Sequence, residues 1–139
     1  MATRPYTHSL ERLRMAGLRP TRQRLALVRL LFERGDRHVT AEQLHAEALA
    51  NGTRISLATI YNSLHQFTSA GLLREVVVDP ARRYFDTNVS VHHHFFHEDD
   101  GVLHDIPGDS IALAGLPDAP GGTEIDRVDV VVRLRSARG

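Results

Sequence analysis

From residue 8 to residue 71 the apolar side chains recur at helical spacing, and beyond residue 72 they alternate as strands do. Residues 8–16 form a short amphipathic segment closed by Gly17. Thr21 is placed to cap the next helix, where Leu25, Val28, Leu31 and Phe32 share a face until Gly35 ends it. Thr40-Ala41-Glu42-Gln43 reads as a capping box, in which side chains satisfy the first free backbone N–H groups of a helix. It opens a third helix that turns Leu44, Ala48 and Leu49 inward. A fourth, capped by Ser56, carries Leu57, Ile60, Tyr61, Leu64 and Phe67 on one stripe, with Gly71 just past its end. Residues 72–78 then read as strand, 79–82 as turn and 83–87 as a returning strand. Helices followed at once by an arginine-tipped hairpin are the order of a winged helix-turn-helix.

The pattern beyond the hairpin predicts a second, smaller domain, which makes the fold class α+β. Residues 92–98 and 102–106 read as strands around the turn Asp99-Asp100-Gly101. The segment 107–123, rich in Gly and Pro, reads as loop with at most one short helix at 110–114. Val128, Val130, Val132 and Leu134 alternate with polar residues as a strand with one buried face; Val131 breaks the alternation and hints at cover from a second subunit. The expected division is a winged-helix domain over 1–88 and a small α/β dimerisation and effector-binding domain over 89–139, with a hinge near 88–91. So short a second domain lacks the core to stand alone, and pairing with its twin is the natural remedy.

Charge sharpens this division. Residues 1–91 carry 13 arginines against 8 acidic side chains, and residues 92–139 carry 4 against 9, so a net charge of zero conceals a basic front and an acidic back. A polyanion such as DNA suits the front half. The chain has no cysteine, which excludes disulfides, thiolate metal sites and a cysteine nucleophile. No apolar run reaches the roughly 20 residues of a membrane span, and residues 1–5 lack the apolar core of a secretory signal. A cytoplasmic protein without a membrane role is expected. No nucleophile motif of the G-x-S-x-G type occurs, and the expectation is a binding protein rather than an enzyme.

The fourth helix is the one expected in a DNA major groove, presenting Ser56, Thr59, Tyr61, Asn62 and His65. Arg54 before it, Arg19 ahead of the second helix, and Arg82 and Arg83 on the wing are placed to neutralise phosphates or enter the minor groove. The run Arg54-Ile55-Ser56-Leu57-Ala58-Thr59-Ile60-Tyr61-Asn62-Ser63-Leu64, with Phe67 and Ala70-Gly71-Leu72, resembles the recognition-helix signature of the ferric uptake regulator (Fur) family. Gly17-Leu18-Arg19-Pro20-Thr21-Arg22-Gln23-Arg24 resembles that family's approach to its second helix, and His92-His93-His94 falls at its histidine-rich metal motif. The resemblance implies a homodimeric repressor reading a palindromic double-stranded operator. It places Tyr61 at the family's base-contacting tyrosine and Arg19 at its minor-groove basic residue; Asn62 stands where many members have arginine.

Nine histidines, five of them between 92 and 104, point to a bound effector. By resemblance, the family's regulatory metal site falls on His38, Asp86, His93 and Asp105, which would take Mn2+, Fe2+ or Zn2+. The paired Cys-x-x-Cys motifs of many members are absent. The histidine triple followed by Phe95-Phe96, the Val102-Leu103 to Pro107 run and the tail from Arg127 to Leu134 look most like the haem-responsive iron response regulator branch. That branch implies haem as effector at His92, His93 and His94, with His45 and His65 as further candidates. Strand geometry puts His92 and His94 on one face and His93 on the other. Haem asks for one or two axial imidazoles with apolar cover, whereas a divalent ion asks for three or four convergent donors, so both readings stand at this stage. His8, His97 and His104 read as surface residues.

Overall fold

The computed structural model of the protein describes residues 6–137. The chain divides into two units, Met1–Val89 and Ser90–Gly139. The first holds helices α1 (Thr7–Met15), α2 (Arg22–Phe32), α3 (Ala41–Ala50) and α4 (Leu57–Ser69) with strands β1 (His38–Val39), β2 (Arg74–Asp79) and β3 (Arg82–Asp86). The second holds β4 (His92–His97), β5 (Leu103–Pro107), a 3-10 turn at Gly108–Ser110 and β6 (Val131–Leu134). The α+β class expected from the sequence is the fold observed.

Each helix of the first unit begins where a side chain satisfies its free N–H groups, α1 excepted. Thr21 accepts from the Arg24 N–H at 3.1 Å, and Ser56 from the Thr59 N–H at 3.1 Å. At Thr40 both halves of the capping box form, since its hydroxyl accepts from the Gln43 N–H and its own N–H donates to the Gln43 side chain. Such a cap contributes about 1 kcal/mol. At the other end of α4, Gly71 takes φ +83°, which lets the Leu72 N–H return to the Phe67 carbonyl. That conformation is strained for any residue with a Cβ.

Core packing follows the helical period. On α4 the buried residues are Ile60, Ser63, Leu64 and Phe67, while Ala58, Asn62, His65, Gln66 and Ser69 stay exposed. The apolar face meets Leu27, Val28 and Leu31 of α2, Leu44 and Ala48 of α3, and Phe85 of β3 in one cluster. Burying each large side chain contributes roughly 1.5–3 kcal/mol, so this cluster is what orients α4.

The sheet of the first unit runs β1-β3-β2, all antiparallel. β2 and β3 form the wing hairpin. Its tip turns where Asp79 accepts from the Ala81 N–H at 2.9 Å, beside a bulge between Val77 and Asp79. The strand predicted over 72–78 starts two residues later, because Leu72 is still engaged in the end of α4. β1 is an addition that the sequence pattern did not show. It is only two residues long and pairs His38 with Asp86 and Val39 with Phe85.

In the second unit the sheet runs β5-β4-β6, with β4–β5 antiparallel and β4–β6 parallel. His92, His93, His94 and Phe96 are all buried, so β4 is covered on both faces. Its alternation sends His92, His94 and Phe96 to one side and His93 and Phe95 to the other. The short helix expected at 110–114 is instead the 3-10 turn at Gly108–Ser110, and the last strand covers only Val131–Leu134 of the expected 128–134. Gly108 sits where a Cβ would meet the Val91 carbonyl oxygen at 2.5 Å, so the turn folds onto the start of β4 only with glycine there. No helix of the described residues is long and apolar enough to cross a membrane.

Candidate metal centre and nucleic-acid interface

Two sets of donor side chains arise, one in each unit. In the first, β1 delivers His38 directly opposite Asp86 on β3, and the His38 Nε2 lies 3.2 Å from Asp86 Oδ2. Asp86 is 1% exposed, and its other oxygen accepts from the Asn88 N–H at 2.9 Å. The register is locked next door, where Arg37 and Thr87 exchange backbone and hydroxyl hydrogen bonds at 2.8 and 3.0 Å.

In the second unit the hairpin β4–β5 brings His92, His94 and Asp105 together. Both imidazole Nε2 atoms lie 3.5 Å from Asp105 Oδ1, and one ligand atom from each of the three lies within 4.8 Å of the others. His92 Nδ1 is 2.7 Å from the Ser90 carbonyl. A carbonyl only accepts, so Nδ1 carries the hydrogen, and Nε2 is the ring atom turned to Asp105. A backbone carbonyl behind the ring is the arrangement that prepares a histidine for a metal. Two imidazoles and one carboxylate suit Fe2+, Mn2+ or Zn2+.

His93 is placed differently from the expectation that it joins His38, Asp86 and Asp105. It lies on the opposite side of β4, and its Nδ1 accepts from the Val130 N–H at 3.1 Å. The ring thereby fastens the segment before β6 to β4. His92 and His94 occupy the position beside Asp105 that the resemblance gave to His93. His45 stands half-buried on α3, and His65, exposed on α4, meets the ring of Phe85 edge-on at 5.7 Å. His97 and His104 pair edge-on at 4.9 Å.

The residues expected to meet DNA all lie in the first unit. Asn62 and Arg54 are exposed, whereas Ser56 and Thr59 are bound to each other at 2.9 Å as part of the α4 cap. The wing arginines are matched by acids of their own hairpin: Arg82 meets Asp79 at 2.6 Å and Arg83 meets Glu75 at 3.1 Å. The Arg82 guanidinium holds the Asp79 carboxyl below its usual range. Arg19 is exposed, and its carbonyl accepts from Arg24, whose other nitrogen donates to Gln66 on α4 at 2.9 Å. Arg24 thus pins the loop bearing Arg19 to α4, a role that no sequence period signals. Glu42 was likewise read only as part of a helix cap, yet its carboxylate accepts the Tyr61 hydroxyl at 2.6 Å.

Behind these residues, Arg37 and Glu47 form a two-pronged pair at 2.8 and 2.6 Å, and Arg37 also donates to the Leu30 carbonyl. The guanidinium holds the Glu47 carboxyl below its ordinary 4.5. A carboxyl lowered on folding contributes stability above the unfolded value and loses it as pH falls through the folded one. Replacing Arg37 by Gln is therefore expected to cost about 1 kcal/mol at neutral pH, allowing for partial solvent screening. The difference from the parent should shrink as pH drops below 4.5, as read from urea unfolding midpoints across pH.

The profile of the ferric uptake regulator family matches residues 15–115. The chain belongs to this family. Among curated proteins it is 35% identical over 97 residues to the peroxide-responsive repressor PerR of Staphylococcus aureus, a match spanning 70% of this chain and 65% of that one. Among solved structures it resembles the ferric uptake regulator of Pseudomonas aeruginosa with manganese, at TM-score 0.69 and 23% identity over 94% of this chain and 98% of that one. The Vibrio cholerae ferric uptake regulator gives TM-score 0.70 and 23% identity over 91% and 98%. Both structural likenesses concern the fold.

Proposed function

We propose that the protein is a metal-responsive transcriptional repressor that binds a palindromic DNA operator as a homodimer when a divalent cation occupies the donors on its strands. The observation that carries this reading is the convergence of two buried imidazoles, His92 and His94, on the exposed carboxylate of Asp105, with ligand atoms within 4.8 Å of one another, in a chain whose other unit is a winged helix. Three donors leave a four-coordinate site incomplete. The family resemblance also names His38 and Asp86 as metal donors, and within the first unit they face each other as an imidazole–carboxylate pair. A cation that binds the DNA-competent state more tightly than the other shifts the population towards it, which is how occupancy would govern retention of DNA.

A haem iron takes one or two axial ligands, so a three-donor cluster closing on a carboxylate supports a small cation over haem. Support for the dimer comes from the second unit, where Phe95, Val102, Leu113, Leu116 and Ile125 are each at least 36% exposed in a body of few apolar residues. Arg19, Arg54, Tyr61, Asn62, Arg82 and Arg83 are the residues proposed to meet DNA, with Ser56 and Thr59 setting the start of α4.

The test is a mobility shift of the full chain on duplexes enriched from a random pool, run with Mn2+, with EDTA and with hemin. DNA is expected to be retained with Mn2+, released by EDTA and indifferent to hemin. Light scattering of the same sample is expected to give twice the 15.5 kDa chain mass. Release by hemin from protein that binds equally well in EDTA would overturn the cation reading and restore haem as effector.

A further inference from the structure

Resting on the DNA-binding reading above, we propose that Glu42 is a specificity-determining residue: by holding the hydroxyl hydrogen of Tyr61 it turns the pair into an acceptor-only patch that selects base edges bearing an amino group. A phenol has one hydrogen to give and lone pairs to receive with. The Tyr61 hydroxyl gives its hydrogen to Glu42 Oε1 at 2.6 Å, the short separation found when the acceptor is charged. The bond ties α4 to the first turn of α3. It holds the Glu42 carboxyl below its ordinary 4.5 and the Tyr61 phenol above its ordinary 10.0, so at neutral pH the partners are a carboxylate and a neutral phenol.

What the pair then offers a ligand is oxygen lone pairs alone, on the phenol and on the second carboxylate oxygen. Both border an open groove of about 470 Å³ between the two helices and the wing turn, lined also by Thr40, His65 and Arg83. In the major groove adenine N6 and cytosine N4 donate, while thymine O4 and guanine O6 accept. An acceptor-only patch bonds the first two and sets lone pair against lone pair with the others. The carboxylate also repels phosphate, which assigns this patch to base edges and leaves the backbone to the arginines.

The experiment enriches binding sites from random duplexes with the Mn2+-supplied full chain, then measures binding to the enriched site and its single base-pair variants for the parent, Glu42→Ala, Tyr61→Phe and the double variant. One position per half-site is expected to prefer an amino-bearing base. Both single variants should lower that preference roughly three- to tenfold at the same position, and the double variant no further, because the two side chains act as a unit. Tyr61→Phe removes one surface oxygen and keeps the test decisive should Glu42→Ala loosen α3. Variants that bind DNA with the parent's preference at every position, or that alter different positions, would overturn the proposal. A parent that enriches no site at all would instead defeat the DNA-binding reading itself.

Discussion

Replacing His94 by alanine is expected to weaken Mn2+ binding at least about a hundredfold, since changes merely behind a metal ligand already cost about 10–100-fold. His94 is 1% exposed, its Nε2 faces Asp105, and its backbone N–H is held by the Val130 carbonyl at 3.1 Å. The strand therefore survives the loss of the ring, and the defect should be confined to the ion. Metal-dependent retention of DNA should vanish with it, while weak, salt-sensitive binding by the arginine-rich unit persists. His93→Ala makes the contrast. It removes an acceptor for the Val130 N–H rather than a donor beside Asp105, so it should loosen β6 and leave the ion's affinity much less changed. Metal titration by calorimetry on both variants separates the two roles; equal losses would contradict the assignment of His92 and His94.

The second large effect concerns the first unit. Phe67 is fully buried at the centre of the cluster that orients α4, among residues of α2, α3 and β3. Phe67→Ala is expected to cost about 3–5 kcal/mol, transfer and cavity together. That is a large share of the 5–15 kcal/mol that typically stabilises a domain. DNA binding should fall in proportion to the unfolded fraction, with a denaturation midpoint lowered in urea. A fall in DNA affinity with an unchanged midpoint would mean that Phe67 acts on the interface directly, which its burial argues against.

Where a local rule has a short reach, the sequence was readable. Thr21, Thr40 and Ser56 each cap the helix they announce, and the 3.6-residue stripe of Ile60, Leu64 and Phe67 marks the buried side of α4. The strand rule also separated His92 and His94 from His93, and that separation holds on β4. The family resemblance, carried over residue by residue, put His93 among the ligands, and alternation alone does not say which face of the strand looks toward Asp105. The register that sets His94 opposite Asp105 is what selects the face of His92 and His94. β1 escaped notice because two residues cannot display a period, although one of them, His38, was already suspected as a donor. The turn at Gly108–Ser110 lies so close to the Val91 carbonyl across the hairpin that position 108 has no room for a Cβ, a non-local constraint that composition does not report. The bonds of Arg24 to Gln66 and of Glu42 to Tyr61 join side chains 42 and 19 positions apart, beyond any window of local reading.

The parallel placement of β6 sets an order of assembly. The segment around β6 meets β4 and the turn after it through the Val130 N–H on His93, Arg133 on Glu98 and Ser136 on Asp99. The β4–β5 hairpin and its three donors precede these partners in the chain by more than twenty residues, so the hairpin is local and β6 is not. Parallel pairing across a long connection is also the slower kind of pairing. A cation held by His92, His94 and Asp105 would tether the two strands of the hairpin to each other without calling on β6 at all.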